Sequence, residues 1–183
     1  VIIDGSHYND YVTGYYGGNM GAFIDICADK NIKAVIDTDG ITAEELENCA
    51  LLIVSAPGKK TGTANAGEYT VSHFEDSFIQ MVSDYVANGG SVIACGLADY
   101  QDSTDCQTAT EMNKLLAAIG STIRVNSDEG YDEVNNGGQA YRLYLENYDA
   151  SSEWLAGVVD GQQYSAYSGC TVNVTGAVEN DVV

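Results

Sequence analysis

The chain is predicted to fold as an α/β domain: a doubly wound, mostly parallel sheet covered by helices, followed by an irregular β-rich C-terminal extension. Three observations carry that expectation. Short apolar runs alternate with amphipathic stretches of helical spacing, and each amphipathic stretch opens on a recognisable capping residue. The alternation then stops after residue 126, where polar and tyrosine-rich segments take over. At 183 residues and 45% hydrophobic content, the chain is long enough for one well-buried core. Residues 1–183 are therefore expected to form one domain, with an α/β core over 1–125 and a loop- and strand-rich extension over 126–183.

The elements follow in order. VIID (1–4) is a strand, and in NMGAFIDICADKN the residues Met20, Phe23, Ile24 and Cys27 fall at i, i+3, i+4 and i+7, one face of a helix that Asn19 can cap. IKAVID (32–37) is the second strand, after which Thr42 and Glu45 have the spacing of a capping box opening a short helix. ALLIVSAP (50–57) is a continuous apolar run ended by the only proline, as for a strand covered on both faces. Ser72 with Glu75 is a second candidate box, leading into a helix faced by Phe74, Phe78, Met81, Val82, Tyr85 and Val86 and stopped by Gly89 and Gly90 before the strand SVIACGL. Thr108 with Glu111 is a third, and the helix it opens presents Met112, Leu115, Leu116 and Ile119 before Gly120 and the strand STIRV. Five parallel strands are thus expected, near 1–4, 32–37, 50–55, 91–96 and 121–125. Beyond them, NSDEGYDEVNNGG is a polar loop, and YRLYLENY, QQYSAYSG and TVNV suit antiparallel pairing.

Charge excludes some function classes. With 27 acidic residues against 7 basic ones, the formal charge is −20, which repels polyphosphates and anionic lipid surfaces. Nucleic acid is a poor candidate partner on this ground, and none is expected. Apolar runs such as 50–54 fall far short of the roughly 20 residues that span a bilayer, so no membrane insertion is expected. Val1 already lies in a strand-like run with no start methionine, so the chain is expected to be a piece of a longer protein. The five cysteines share no CxxC spacing, which argues against a zinc knuckle or a thioredoxin-type pair. Cys27 and Cys49 are placed as small hydrophobes, while Cys95 and Cys106 are spaced to allow a bridge across one loop.

In open doubly wound sheets, ligands bind beyond the carboxyl ends of the strands where strand order reverses. Residues 4–18, 55–60, 97–100 and 126–132 are expected there. The first of these segments concentrates Asp4, His7, Asn9 and Asp10 among glycines and tyrosines. These four are expected chiefly to bond loop backbone and neighbouring edge segments, including 97–100, and so to fix a pocket floor; direct binding of a metal or substrate is the alternative. Tyr15 and Tyr16, with Tyr8, Tyr11, Asp99, Tyr100 and Tyr131, offer an aromatic shelf for a carbohydrate or peptide, against the simpler reading that they pack the loop over the sheet edge.

Two further groupings carry chemistry. Cys95 and His7 both follow strands, so a thiol–imidazole dyad oriented by Asp4, Asp10 or Asp99 is one reading. An unassisted thiol of pKa about 8.5 is mostly protonated at neutral pH, and the surrounding negative charge opposes the thiolate. The simpler reading places Cys95 in a small slot at a strand end and His7 on a loop. Asp128, Glu129 and Asp132, with Glu133, Asn126 and Asn135, supply oxygens suited to calcium, although out of register with an EF-hand; a solvated acidic loop is the alternative. No cofactor is required by any of these patterns.

A family resemblance enters with VIIDGSHYNDYVTGYYGGNMG, DYVANGGSVIACGLADY, STIRVNSDEGYDEVNNGGQAYRLYLENY and QQYSAYSGC. Together these resemble the class I glutamine amidotransferase-like modules of large secreted bacterial proteins, a group related to ThuA-like proteins and to the trimerisation domain of some β-galactosidases. The resemblance implies a flavodoxin-like topology, a secreted or cell-surface bacterial setting, and other domains of the same polypeptide as partners. Active members of that superfamily use a cysteine in a G-x-C-x-G elbow and a later H-x-E motif. Here the elbow reads Ala94-Cys95-Gly96-Leu97-Ala98, and no histidine follows His73. Glutaminase chemistry is accordingly not expected. The leading expectation is a non-catalytic accessory or ligand-binding module, with a cysteine-dependent hydrolase using Cys95 and His7 as the alternative.

Overall fold

A computed structural model of the chain describes residues 1–7, 9, 11–14, 16–57, 59–61, 68–70, 73–97, 108–145, 148, 151–155, 157–158, 163–174, 176 and 181. Its centre is a four-stranded parallel sheet formed by β1 (Ile2–Asp4), β2 (Val35–Asp37), β3 (Leu52–Ser55) and β6 (Val92–Cys95), in the order β2-β1-β3-β6. The chain moves from β1 outward to β2 and then returns across β1 to β3. That reversal is the flavodoxin-like switch point, and it lies between β1 and β3. β4 (Lys59–Thr61) and β5 (Glu68–Thr70) form a separate antiparallel pair.

Alternation along the strands sorts their side chains onto two faces. Ile2, Leu52 and Val54, with Val92 and Ala94, meet α2 (Ala43–Glu47), α3 (Asp76–Ala87) and α4 (Thr108–Ala118) through Leu46, Phe78, Val82, Met112 and Leu115. Ile3 and Ile53, with Cys95 and Ile36, face α1 (Met20–Asp29), which brings Met20, Phe23 and Ile24. Ile3, Leu52, Val54, Val82, Met112 and Leu115 are wholly enclosed, which is why the strands read as continuous apolar runs. Among the described residues, no helix is long and apolar enough to cross a membrane.

Helix starts depart from expectation where tertiary contacts claim the capping residues. The box at Thr42 and Glu45 is formed, with both reciprocal bonds present. Asn19 makes no side-chain cap, because a 3-10 turn at Gly17–Asn19 runs directly into α1. α3 starts at Asp76 with extended Glu75 as its N-cap residue and no side-chain cap, while Ser72 lies outside the described residues. Glu111 does not close a box with Thr108 either. Its carboxylate accepts the Phe74 N–H at 3.1 Å and pairs with Lys114 and His73. A buried acid with three partners outside its own first turn is better satisfied there than by reaching back to the helix start.

The fifth expected parallel strand is also corrected. β7 (Arg124–Val125) pairs antiparallel with β10 (Val172–Asn173) rather than joining the main sheet. The physical reason is local: Asn113 of α4 donates to the Val125 carbonyl and accepts the Val125 N–H, each at 2.9 Å. Those two backbone groups are satisfied by a side chain and need no further strand. The rest of the extension is antiparallel as expected, with β8 (Arg142–Leu145) on β9 (Tyr164–Tyr167). It docks on the sheet where Cys170 and Val125 close over Gly96; a Cβ there would lie 2.9 Å from the Cys170 sulfur.

Tyr85 ties the amino ends of β3 and β6 together. Its hydroxyl donates to the Cys49 carbonyl at 3.1 Å and accepts the Ser91 N–H at 3.2 Å. The ring lies flat against Gly90, where a Cβ would fall 2.3 Å from ring carbon. Gly90→Ala is therefore expected to destabilise the fold by about 1–3 kcal/mol through overpacking against a ring held at both ends. Urea denaturation reads the effect, and Gly18→Ala, where the added methyl meets nothing within 4 Å, is the comparison.

Candidate functional site

β1 delivers Asp4 to the carboxyl edge of the sheet at the switch point, and Asp4 is 1% exposed. A buried carboxylate must find donors. One oxygen accepts the Ser6 N–H at 3.1 Å and the Ser6 hydroxyl at 2.9 Å, and the other lies 2.7 Å from His7 Nδ1. The D-G-S-H order makes this possible, since Gly5 has no room for a side chain: a Cβ would sit 2.6 Å from Ile36 Cγ2 and 2.9 Å from the Asp37 carbonyl. The His7 ring packs on Phe78 at 4.3 Å and edge-on to Phe74 at 5.1 Å.

Asn9 closes the loop. Its amide donates to the Ala56 carbonyl beyond β3 at 2.6 Å, its side-chain oxygen accepts the Tyr11 N–H at 2.8 Å, and its own carbonyl receives the N–H groups of Thr13 and Gly14. The loop thus bridges the carboxyl ends of the two strands that flank the switch point. Tyr11 packs toward the core on the α3 side and Val12 toward the one on the α1 side. Tyr11 stacks on Tyr16 at 5.1 Å.

The C-terminal extension adds aromatic surface beside this loop. Tyr167 stands edge-on to Tyr141 at 5.2 Å, and Tyr141 to Tyr131 at 6.4 Å. The Arg142 guanidinium lies 5.3 Å above the Tyr167 ring. A hydrogen bond with Tyr141 holds the Tyr167 phenol above its ordinary pKa, with smaller contributions from burial and from the neighbouring Tyr141 and Tyr16 phenols. The Tyr16 phenol of the first loop is thus near enough to Tyr167 of the extension to act on it electrostatically.

The structure separates the proposed dyad. His7 packs against Phe74 and Phe78, which belong to the core on the α3 side, whereas Cys95 packs against Ile3, Val12 and Ile53 on the α1 side. Cys95 is a free thiol, and burial pushes its pKa above the ordinary thiol value, opposite to what a nucleophile needs. Strand ends on one sheet edge do not suffice for a dyad when β3 lies between them and the two side chains pack with different cores.

The acidic loop is used for turns rather than gathered around an ion. Asp128 accepts the Thr171 N–H at 2.7 Å and its hydroxyl at 2.6 Å, holding the extension's last strand. Asp132 accepts the N–H groups of Asn135 and Val134, each at 2.8 Å, which lowers its pKa. Glu129 bonds Tyr131 and raises that phenol's pKa. Among the described residues, no group of three or more His, Cys, Asp or Glu side chains is placed to hold a metal ion. Asp10, Tyr15, Asp99 and Tyr100, with Tyr8 and Cys106, lie outside the described residues.

Sequence reasoning missed Ser6, Phe74, Phe78, Tyr141 and Tyr167 at this edge. Ser6 had a usable signal, because a serine two residues after an aspartate can bond its carboxylate in an Asx-type turn. The aromatic partners come from distant segments and had none.

No protein-family model matches the chain, and no curated protein is similar to it. Among solved structures, one described as "mmIFT52 N-terminal domain" is similar with a TM-score of 0.65 at 15% identity, over 94% of this chain and 71% of that one. At that identity the likeness concerns the fold alone: the α/β arrangement and its extension recur together in that solved domain.

Proposed function

We propose that the chain is a non-catalytic, glutamine amidotransferase-like accessory module of a larger extracellular or surface-attached bacterial polypeptide, presenting a ligand-binding edge to a carbohydrate or peptide. The observation that carries the non-catalytic part is the separation of Cys95 from His7, together with the burial that disfavours the Cys95 thiolate. The binding part rests on the switch-point loop. Its polar residues Asp4 and Asn9 are engaged in fixing backbone, which leaves the stacked Tyr11 and Tyr16 as a prepared apolar surface beside Tyr167. The extracellular setting rests on the sequence resemblance.

The test has two arms. Iodoacetamide at neutral pH is expected to alkylate Cys95 no faster than a free thiol in solution, with no change in His7→Ala. Hydrolysis of γ-glutamyl and p-nitrophenyl ester substrates should not exceed that of Cys95→Ala. Turnover lost in both Cys95→Ala and His7→Ala would instead establish the hydrolase. In the second arm, oligosaccharide and peptide arrays are probed with the wild-type protein and with Tyr16→Ala, and captured ligands are expected to be lost in the variant. Retention of all of them by Tyr16→Ala would remove the aromatic edge from the reading.

A further inference from the structure

The first turn of α4 lies on the sheet edge that carries Asp4 and His7: Glu111 accepts the Phe74 N–H at 3.1 Å, and Phe74 meets the His7 ring at 5.1 Å. That turn is closed in. Thr108, Ala109 and Glu111 are each 4% exposed, whereas the first turns of α1, α2 and α3 are open to solvent at Gly21, Ala43 and Asp76. Thr110 of the same turn is exposed and the His73 side chain is 50% exposed, so the enclosed turn borders solvent on one side.

The amino end of a helix carries partial positive charge and N–H groups that have no partner inside the helix. In α2 the capping box answers them. In α4 the carboxylate that the Thr108 and Glu111 spacing would return to the helix start is taken by Phe74, His73 and Lys114 instead, and the Lys114 ammonium is paired with it. Thr108 Oγ1 is left enclosed, with no hydrogen-bond partner among the described residues. Because the Cα–Cβ bonds of a helix tilt toward its amino end, this hydroxyl points the same way as the unanswered N–H groups. A buried hydroxyl stranded beside a helix start calls for an acceptor.

We infer that the amino end of α4 binds a small monocarboxylate, which accepts hydrogen bonds from the Thr108 hydroxyl and from the N–H groups of the first turn. A cation is repelled by the helix end. A phosphate dianion would bring twice the charge up to Glu111 on a chain of formal charge −20, with Lys114 already paired, whereas one negative charge suits one hydroxyl and one helix end. The site uses none of the stacked tyrosines.

The probe is sodium acetate, titrated into the ¹⁵N-labelled protein beside sodium chloride at equal ionic strength and acetamide as the uncharged isostere. Saturable amide shifts at residues 108–111 and at Phe74 are expected with acetate alone, together with a higher melting temperature by mass action. Thr108→Val removes the hydroxyl at nearly constant shape, so it should weaken acetate binding by about tenfold, as one charge-assisted hydrogen bond is lost. Without acetate, the same variant should melt no lower than wild type, because the group it deletes has no partner to lose. Thr108→Ser keeps the hydroxyl and should bind acetate within about twofold of wild type. Absence of saturable shifts, shifts reproduced by chloride or acetamide, or equal affinity in Thr108→Val would overturn the inference. So would a lower melting temperature of acetate-free Thr108→Val, which would show the hydroxyl to be engaged within the protein or by a buried water. Tighter binding of inorganic phosphate than of acetate would make the occupant a phosphate group and overturn it as well.

Discussion

Asn9→Ala is expected to lower the free energy of unfolding by about 2–4 kcal/mol, because it strands a buried carbonyl and a part-buried N–H at once. Asn9 is 1% exposed and Ala56, whose carbonyl it serves, is fully enclosed. Alanine removes the donor at 2.6 Å to Ala56 and the acceptor at 2.8 Å for Tyr11, so both backbone groups lose their partner and carry its desolvation cost. Thr13→Val gives the scale. It deletes one hydroxyl bond, to the Gly5 carbonyl at 3.2 Å, at a solvated position, and is expected to change stability by less than about 1 kcal/mol. Urea denaturation of the two variants beside wild type separates these expectations. A loss in Asn9→Ala no greater than in Thr13→Val would show that the loop is held by something other than this residue, and would remove the rigid base on which Tyr11 and Tyr16 stack.

What could be read from sequence follows from the range of the forces involved. The order strand, helix, strand is written in local periodicity, and the runs at 1–4, 32–37, 50–55 and 91–96 all enter the parallel sheet. The Thr42–Glu45 box is read correctly because both of its partners are exposed and no buried backbone group claims either of them. The Ser72–Glu75 and Thr108–Glu111 spacings look the same on paper, yet Glu111 is claimed by Phe74 from 37 positions earlier. A motif of two polar residues has no means of registering such a competitor. The same limit explains β7, where a side chain from α4 takes the strand's hydrogen bonds. It explains the dyad as well: topology brings Cys95 and His7 to one edge, but the parity of each residue along the pleat decides which face it occupies. Cys95 follows Ala94, which packs with the α3-side core, and so must point the other way.

Glu111→Gln is expected to destabilise the fold by about 1–3 kcal/mol at neutral pH, and the loss should vanish in acid. The Glu111 side chain is 5% exposed. Burial by itself would raise its pKa, but hydrogen bonds from Lys114, His73 and the Phe74 N–H, with the Lys114 charge, outweigh it and bring the value below 4.5. The sign follows. A carboxyl group whose pKa is lower folded than unfolded contributes stability that is complete above the unfolded value and disappears as pH falls through the folded one. The gap between wild type and Glu111→Gln should therefore be constant from neutral pH down to about 5, then close as Glu111 is protonated. Melting temperatures across that range check it, and a gap that persists after protonation would assign the effect to shape rather than charge. The consequence reaches the candidate site. Phe74, positioned by the Glu111 carboxylate, is the ring that meets His7 edge-on, and His7 is held by Asp4 at the end of β1. Protonating or replacing Glu111 should thus loosen the wall behind His7 before it disturbs the sheet, so the His7 ring resonances are expected to shift in Glu111→Gln while amides of β1 and β3 remain in place. Unmoved His7 resonances would confine Glu111 to joining α4 and the approach to α3.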